Sequence, residues 1–403
     1  MMQLLQSTKT QKFGTIVALF SLLLLAPLAY ADAAPSAPGP IAAATTAQAA
    51  DEIIYVGTQS NQIHALRFNA ADGTLRDIGV VETGLASTWL VANKAPASKV
   101  PVLYSVDDHT QSEGSITAFS ADPADGTLRK INTVSTEAKG TTYLWLDKRS
   151  MTFLAANYGS GSLVSVAVND DGSVGSLVST VKETGAGPNR RQASAHAHSA
   201  AVDPSGRYVL VPDLGADRVF VYRFDRATRM LTDSAASGPA PFVAPPGTGP
   251  RHLVFGKDGQ FVYLLTELSA EVMVLRWDAS HGQLALVQTL PISSPQFNGV
   301  KSGAEIALSR DGRFVYVADR GEHTFVVYRV APDAGTLSLV QRVSTGGERP
   351  WDFEIDASGK WIFVANQGSG SVRLFSIDTA TGMVTDSGQS VDMAGPVSIG
   401  FLR

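Results

Sequence analysis

The chain has 403 residues, 44% of them hydrophobic and none of them cysteine, with a formal net charge of −5. The lack of cysteine excludes a disulfide framework and thiolate chemistry, and the acidic balance argues against a nucleic-acid partner. About 350 residues follow Ala50, enough for a large core but long for one sandwich.

Lys9 and Lys12 precede the apolar run FGTIVALFSLLLLAPLA, and Ala29-Tyr30-Ala31 fits a small-x-small cleavage site. Residues 1–31 therefore read as a signal peptide. The run nears the length of a membrane-spanning helix, but Pro27 ahead of the Ala-x-Ala favours cleavage over anchoring. Loss of Lys9 and Lys12 takes the net charge from −5 to −7 and leaves no other long apolar run. The expected location is periplasmic or secreted, with no membrane association after cleavage. Residues 32–50 are rich in Ala, Pro, Ser and Thr and read as a disordered leader. Residues 51–403 form the folded domain.

That domain opens on Ile53-Ile54-Tyr55-Val56, a β run closed by the polar Gly57-Thr58-Gln59. Ile63 to Phe68 predicts a second strand, and Asp72-Gly73-Thr74-Leu75 leads to an outer one near Gly79 to Glu82. The next repeat begins at Thr88-Trp89-Leu90-Val91 and continues through Val102 to Val106 and Gly114 to Phe119. A third begins at Tyr143 to Leu146 and continues from Phe153 to Ser162. Four plainer repeats follow, opening at Ala195, Arg251, Glu305 and Arg349. Their turn glycines Gly206, Gly259, Gly312 and Gly359 are spaced 53, 53 and 47 residues apart. Several strands per unit at such a period predict an all-β, seven-bladed β-propeller. The first repeat lacks an innermost strand, and Gly395 to Phe401 is an inner strand with nothing after it. The C-terminal strand is therefore expected to complete the N-terminal blade, pairing two edges that would otherwise be bare.

In such a ring the start of each inner strand and the turn after each second strand share one rim of the central channel. His198, Arg251, Glu305 and Arg349 hold the first kind of position. Thr58, Asp107, Asn157, Asp213, Glu267, Asp319 with Arg320, and Asn366 hold the second. Charged and imidazole groups from several blades are thus expected at one channel mouth. Plainer roles compete. The arginines can close inter-blade ion pairs with Glu305 or Asp319. Asn157, Asn366 and Asp213 suit turns. Strand alternation lets only one of His196 and His198 face the channel, and offsets His252 from Arg251. His64, His109, His281 and His323 lack a partner pattern and read as surface. No spacing fits a zinc or calcium site, so no metal or cofactor is implied, and no Gly-x-Ser-x-Gly nucleophile is present.

At these residues the sequence resembles the seven-bladed propeller lactonase family, which includes bacterial 6-phosphogluconolactonase and the fungal carboxy-cis,cis-muconate lactonising enzyme. The likeness runs from Ile53 to Phe401. Its marks are His196-Ala197-His198 before Asp203-Pro204-x-Gly206, Pro212-Asp213-Leu214-Gly215, Gly249-Pro250-Arg251-His252 and Glu305-Ile306. Asn157-Tyr158-Gly159 and Asn366-Gln367-Gly368-Ser369 agree. The resemblance implies hydrolysis of a sugar-type lactone by His198, Arg251, Glu267 and Arg320. His198 would take a proton from water, Glu267 would orient the charged groups, and the arginines would hold an anion and stabilise the oxyanion. His196, Asn157, Asp213, Glu305 and Arg349 are the expected substrate-binding residues. Asp319-Arg320 stands where the family usually has Asn-Arg, so an Asp319–Arg320 pair is expected to draw Arg320 away from a substrate anion. A lactonising isomerase and a non-catalytic binding propeller are the competing functions. Export favours an unphosphorylated lactone, since a phosphorylated sugar lactone is a cytoplasmic metabolite.

Overall fold

The computed structural model describes residues 51–109, 112–232 and 239–402. The expected signal peptide and leader lie outside them. Every regular element among the described residues is a β-strand.

Short apolar runs make these strands. Phe261–Thr266 and Phe314–Asp319 are buried at every position, and a run buried on both faces needs a packed layer on each side. Asp-x-x-Gly turns join the inner strands to their neighbours. Asp203 Oδ1 accepts the N–H groups of Arg207 and Tyr208, both at 2.9 Å. Asp356 Oδ1 does the same for Lys360 and Trp361 at 3.0 and 2.9 Å. Gly206 and Gly359 complete these turns at φ +75° and +72°, a region where a side chain brings strain.

Seven antiparallel sheets of four strands result, and the fourth carries an extra short strand, Phe242–Val243, beside Arg218–Asp225. They form a seven-bladed β-propeller. Each of seven apolar clusters joins one blade to the next, so the core is a ring of inter-blade seams. The first blade combines Pro396–Phe401 with Glu52–Thr58, Gln62–Asn69 and Thr74–Thr83. Val56 lies opposite Ile399 and Gly57 opposite Ser398, so the C-terminal strand closes the ring as expected.

The inner strands depart from regular alternation where they begin. The register shifts between Thr141 and Tyr143, Pro250 and His252, Gly303 and Ile306, and Pro350 and Asp352. Such bulges re-aim side chains that strict alternation would place on opposite faces. In blade four the expected strand at His196 is replaced by a lone bridge, Ala197 to Asp213, ahead of Ala201–Val202. In blade two the strand is Leu90–Asn93, two residues later than expected.

Phe401 tests the closure. It is buried and packs edge-on against Phe363 at 5.3 Å. Phe401→Ala is expected to cost about 3 kcal/mol by cavity formation, read as a lower midpoint in chemical denaturation.

Candidate functional site

A cavity of about 710 Å³ takes lining residues from all seven blades. They come from the two kinds of position expected, with a one-residue correction. The second strands end at Thr58, Asp107, Asn157, Asp213, Thr266, Asp319 and Asn366. Most of these end residues are fully buried and hold their own turns. In five blades the residue after the strand end reaches further: Gln59, Asp108, Tyr158, Glu267 and Arg320 line the cavity, whereas Leu214 and Gln367 do not.

This slip corrects several expectations. Asn157 accepts the Thr141 hydroxyl at 2.7 Å and donates to backbone carbonyls, so it braces a turn and does not line the cavity. Asp213 Oδ1 accepts the Ala216 N–H at 2.6 Å. Its charge, after burial, holds the neighbouring Glu183 carboxyl well above the usual range. Asp319 accepts the Ser293 hydroxyl at 2.6 Å and the N–H groups of Gly321 and Glu322. It therefore caps its turn and does not pair with Arg320. His196 stacks on Tyr158 at 4.4 Å and bonds its carbonyl, behind the cavity wall. Glu305 lies under the wall against His252, while Arg349 does line the cavity.

The other four expected residues meet at one carboxylate. Glu267 Oε1 accepts from Arg320 Nη2 at 2.8 Å and from Arg191 Nη1. Its Oε2 accepts from Arg251 Nε at 3.1 Å and sits 3.6 Å from His198 Nε2. Only 2% of Glu267 is exposed. Burial alone would raise its pKa, but the guanidiniums of Arg320, Arg251 and Arg191 outweigh burial and hold it well below the usual carboxylate range. Burial and then the charge of Arg251 hold His198 well below the usual imidazole range, so it is neutral at pH 7. Arg320 is pushed down to about 10 by burial, against the pull of Glu267, and remains charged at neutral pH. Its guanidinium lies 4.3 Å over the Trp351 ring, and its Nε donates to the Ser302 hydroxyl at 3.0 Å.

Four guanidiniums line this cavity against two carboxyl groups, Glu267 in their midst and Asp108. The excess is positive, and it suits an anion or a developing oxyanion. Among the described residues no group of three His, Cys, Asp or Glu side chains is placed to hold a metal ion.

Sequence reasoning missed Arg191, Tyr158, Trp89, Trp351, Asp108 and His252 as lining residues. Arg191 sits in the Gly/Pro-rich loop ahead of blade four, and its charge beside those glycines was the available signal. His252 was set aside by alternation, which the bulge at Pro250 cancels. His64 is buried, not on the surface, and His109 borders the cavity beside Asp107. His323 Nδ1 accepts the Arg349 N–H at 3.0 Å and so anchors that arginine.

Glu267→Gln leaves three guanidiniums without their shared counter-charge and is expected to cost about 3 kcal/mol at pH 7. A depressed folded-state pKa gives stability that is complete above the unfolded value and erodes as pH falls. The penalty should therefore shrink below about pH 4, as followed by denaturation midpoints across pH 3–7.

Comparison with known proteins agrees with this architecture. The family model described as "Lactonase, 7-bladed beta-propeller" matches residues 53–401. A 6-phosphogluconolactonase of Bacillus subtilis is 34% identical over 353 residues, covering 87% of this chain and 98% of the relative. The crystallised periplasmic gluconolactonase of Pseudomonas aeruginosa is 34% identical with a TM-score of 0.80, covering 88% of this chain and 99% of that one. A crystal structure of a Bacteroides fragilis protein superposes with a TM-score of 0.78 at 28% identity, over 89% of this chain and 99% of that one. The chain belongs to the seven-bladed β-propeller lactonase family.

Proposed function

We propose that this chain hydrolyses a sugar-type lactone in the cavity around Glu267. The observation that carries the reading is one buried carboxylate gathering three guanidiniums and a neutral imidazole on the wall of a cavity of about 710 Å³. Neutral His198 accepts a proton from the attacking water, since an imidazole without charge at pH 7 is a competent base. Arg251 and Arg320 face the carbonyl oxygen as it becomes an oxyanion. Glu267 fixes their positions and holds no proton of its own. Arg349 and Arg191 at the wall favour a polar or anionic substituent on the ring. Trp89 and Trp351 provide flat apolar surface for the ring itself.

The substrate in this reading is an unphosphorylated aldonolactone and the compartment is extracytoplasmic. Two facts favour that choice: the signal-like segment ending at Ala31, and the similarity to a periplasmic gluconolactonase. The similarity to 6-phosphogluconolactonases favours the phosphorylated alternative.

A pH-indicator assay with glucono-δ-lactone, its 6-phosphate and a muconate separates these choices. Proton release with glucono-δ-lactone is expected, and activity confined to the phosphate ester or to the muconate would overturn the substrate. His198→Ala should lower kcat by about 100-fold or more with little change in Tm. Wild-type turnover in that variant would remove His198 from the role of base.

A further inference from the structure

Ring opening needs two proton transfers. Water loses one as it attacks, and the ring oxygen must gain one as it leaves, because a departing alkoxide is far too basic to be released free. Glu267 has no proton to give, and guanidiniums do not act as acids near neutral pH. His252 is the remaining imidazole buried in the cavity wall, with its ring centroid 5.1 Å from that of His198. Its orientation is fixed on three sides, by Trp89 at 5.4 Å, Tyr143 at 5.1 Å and His198.

Behind that ring stands a carboxyl. His252 Nδ1 lies 2.7 Å from Glu305 Oε2. Neither atom has another hydrogen-bond partner, and both are sealed from solvent. One proton between them satisfies both atoms, and burial of the carboxyl favours its place on Glu305. Nδ1 is then an acceptor, and the ring's proton stands on Nε2, which is not among the sealed atoms. Glu305 Oε1 is already engaged by the Ile306 N–H at 3.0 Å.

The surroundings of Glu305 keep a proton there. Arg251 Nη1 is 3.9 Å away and favours ionisation. Burial opposes it and prevails, pushing Glu305 up to about 7. The Asp352 carboxyl of the adjacent blade interacts with that of Glu305 and is itself held well above the usual range by burial, Glu305 and Glu354. The Tyr143 phenol, which completes this enclosure, is neutral.

We infer that His252 donates the proton to the departing ring oxygen and that Glu305 refills it. This rests on the lactone-hydrolysis reading above. As the acyl carbon–oxygen ring bond breaks, the Nε2 proton passes to the leaving oxygen and the Glu305 carboxyl proton passes to Nδ1. His252 changes tautomer without becoming charged, and Glu305 becomes a carboxylate. Once the hydroxy acid has left, His198 gives the proton it took from water to solvent. A solvent proton then returns to His252 at Nε2, and the Nδ1 proton passes back to Glu305, which restores all three groups.

The test uses two lactones that differ in leaving group. Glucono-δ-lactone expels an alkoxide and needs the donor, whereas dihydrocoumarin expels a phenolate and needs it far less. His252→Gln and Glu305→Gln should each lower kcat for glucono-δ-lactone by about 100-fold or more, but for dihydrocoumarin by about tenfold or less. In wild type, turnover of glucono-δ-lactone should fall as pH rises through about 7, where Glu305 loses its proton, while dihydrocoumarin turnover should not. Equal losses on both lactones, or one shared pH profile, would overturn the assignment. The same selective loss in Asp108→Asn would move the donor to that residue and overturn it too. The wild-type profiles decide the matter if the variants fail to fold. A wild type that opens neither lactone would sink the parent reading along with it.

Discussion

The site depends on the sharing of one buried carboxylate among three guanidiniums. An isolated charge in such a place would be costly, and a carboxylate with a single partner often fails to recover its desolvation. Glu267 recovers it by accepting from Arg191, Arg251 and Arg320 together. Burial also sets how much each contact matters. Two unit charges 4 Å apart interact by about 4 kcal/mol at an effective dielectric of 20, against about 1 in water. Burial first, and then the positive charge of Arg251 that also helps hold Glu267 ionised, keeps His198 neutral.

The propeller matters because it delivers those groups from distant parts of the chain. Arg191 precedes blade four, Arg251 and Glu267 belong to blade five, and Arg320 to blade six. No local segment could place them around one point. Closure by the C-terminal strand keeps the seven seams continuous, and each seam is an apolar cluster shared by two blades. The cavity walls are therefore set by the packing of the ring. The bulges at the inner strands then turn neighbours such as Arg251 and His252 to the same side.

The fold was legible because its signals are local and repeated: apolar strand runs, Asp-x-x-Gly turns, and a period near fifty residues. The meeting of His198, Arg251, Glu267 and Arg320 also followed from topology, since rim positions can be counted along a repeat. What could not be counted was a one-residue phase. Thr58, Asn157 and Asp319 end their strands and are spent on turns, while the next residue, Gln59, Tyr158 or Arg320, enters the cavity. Alternation likewise failed at His252, where the register shifts between Pro250 and His252. Arg191 escaped because its loop belongs to no repeat, so its pairing with Glu267 has no periodic trace.

The central claim is that the ring of a lactone lies between Trp89, Trp351 and the two imidazoles, with its carbonyl oxygen toward the guanidiniums held by Glu267. Crystallography with a non-hydrolysable lactam analogue of the substrate measures this directly. The carbonyl oxygen is expected within hydrogen-bonding distance of Arg251 or Arg320, with His198 facing the carbonyl carbon. An analogue seated at the opposite cavity near Lys94, Lys148 and Glu354, or held with its carbonyl away from both arginines, would contradict it.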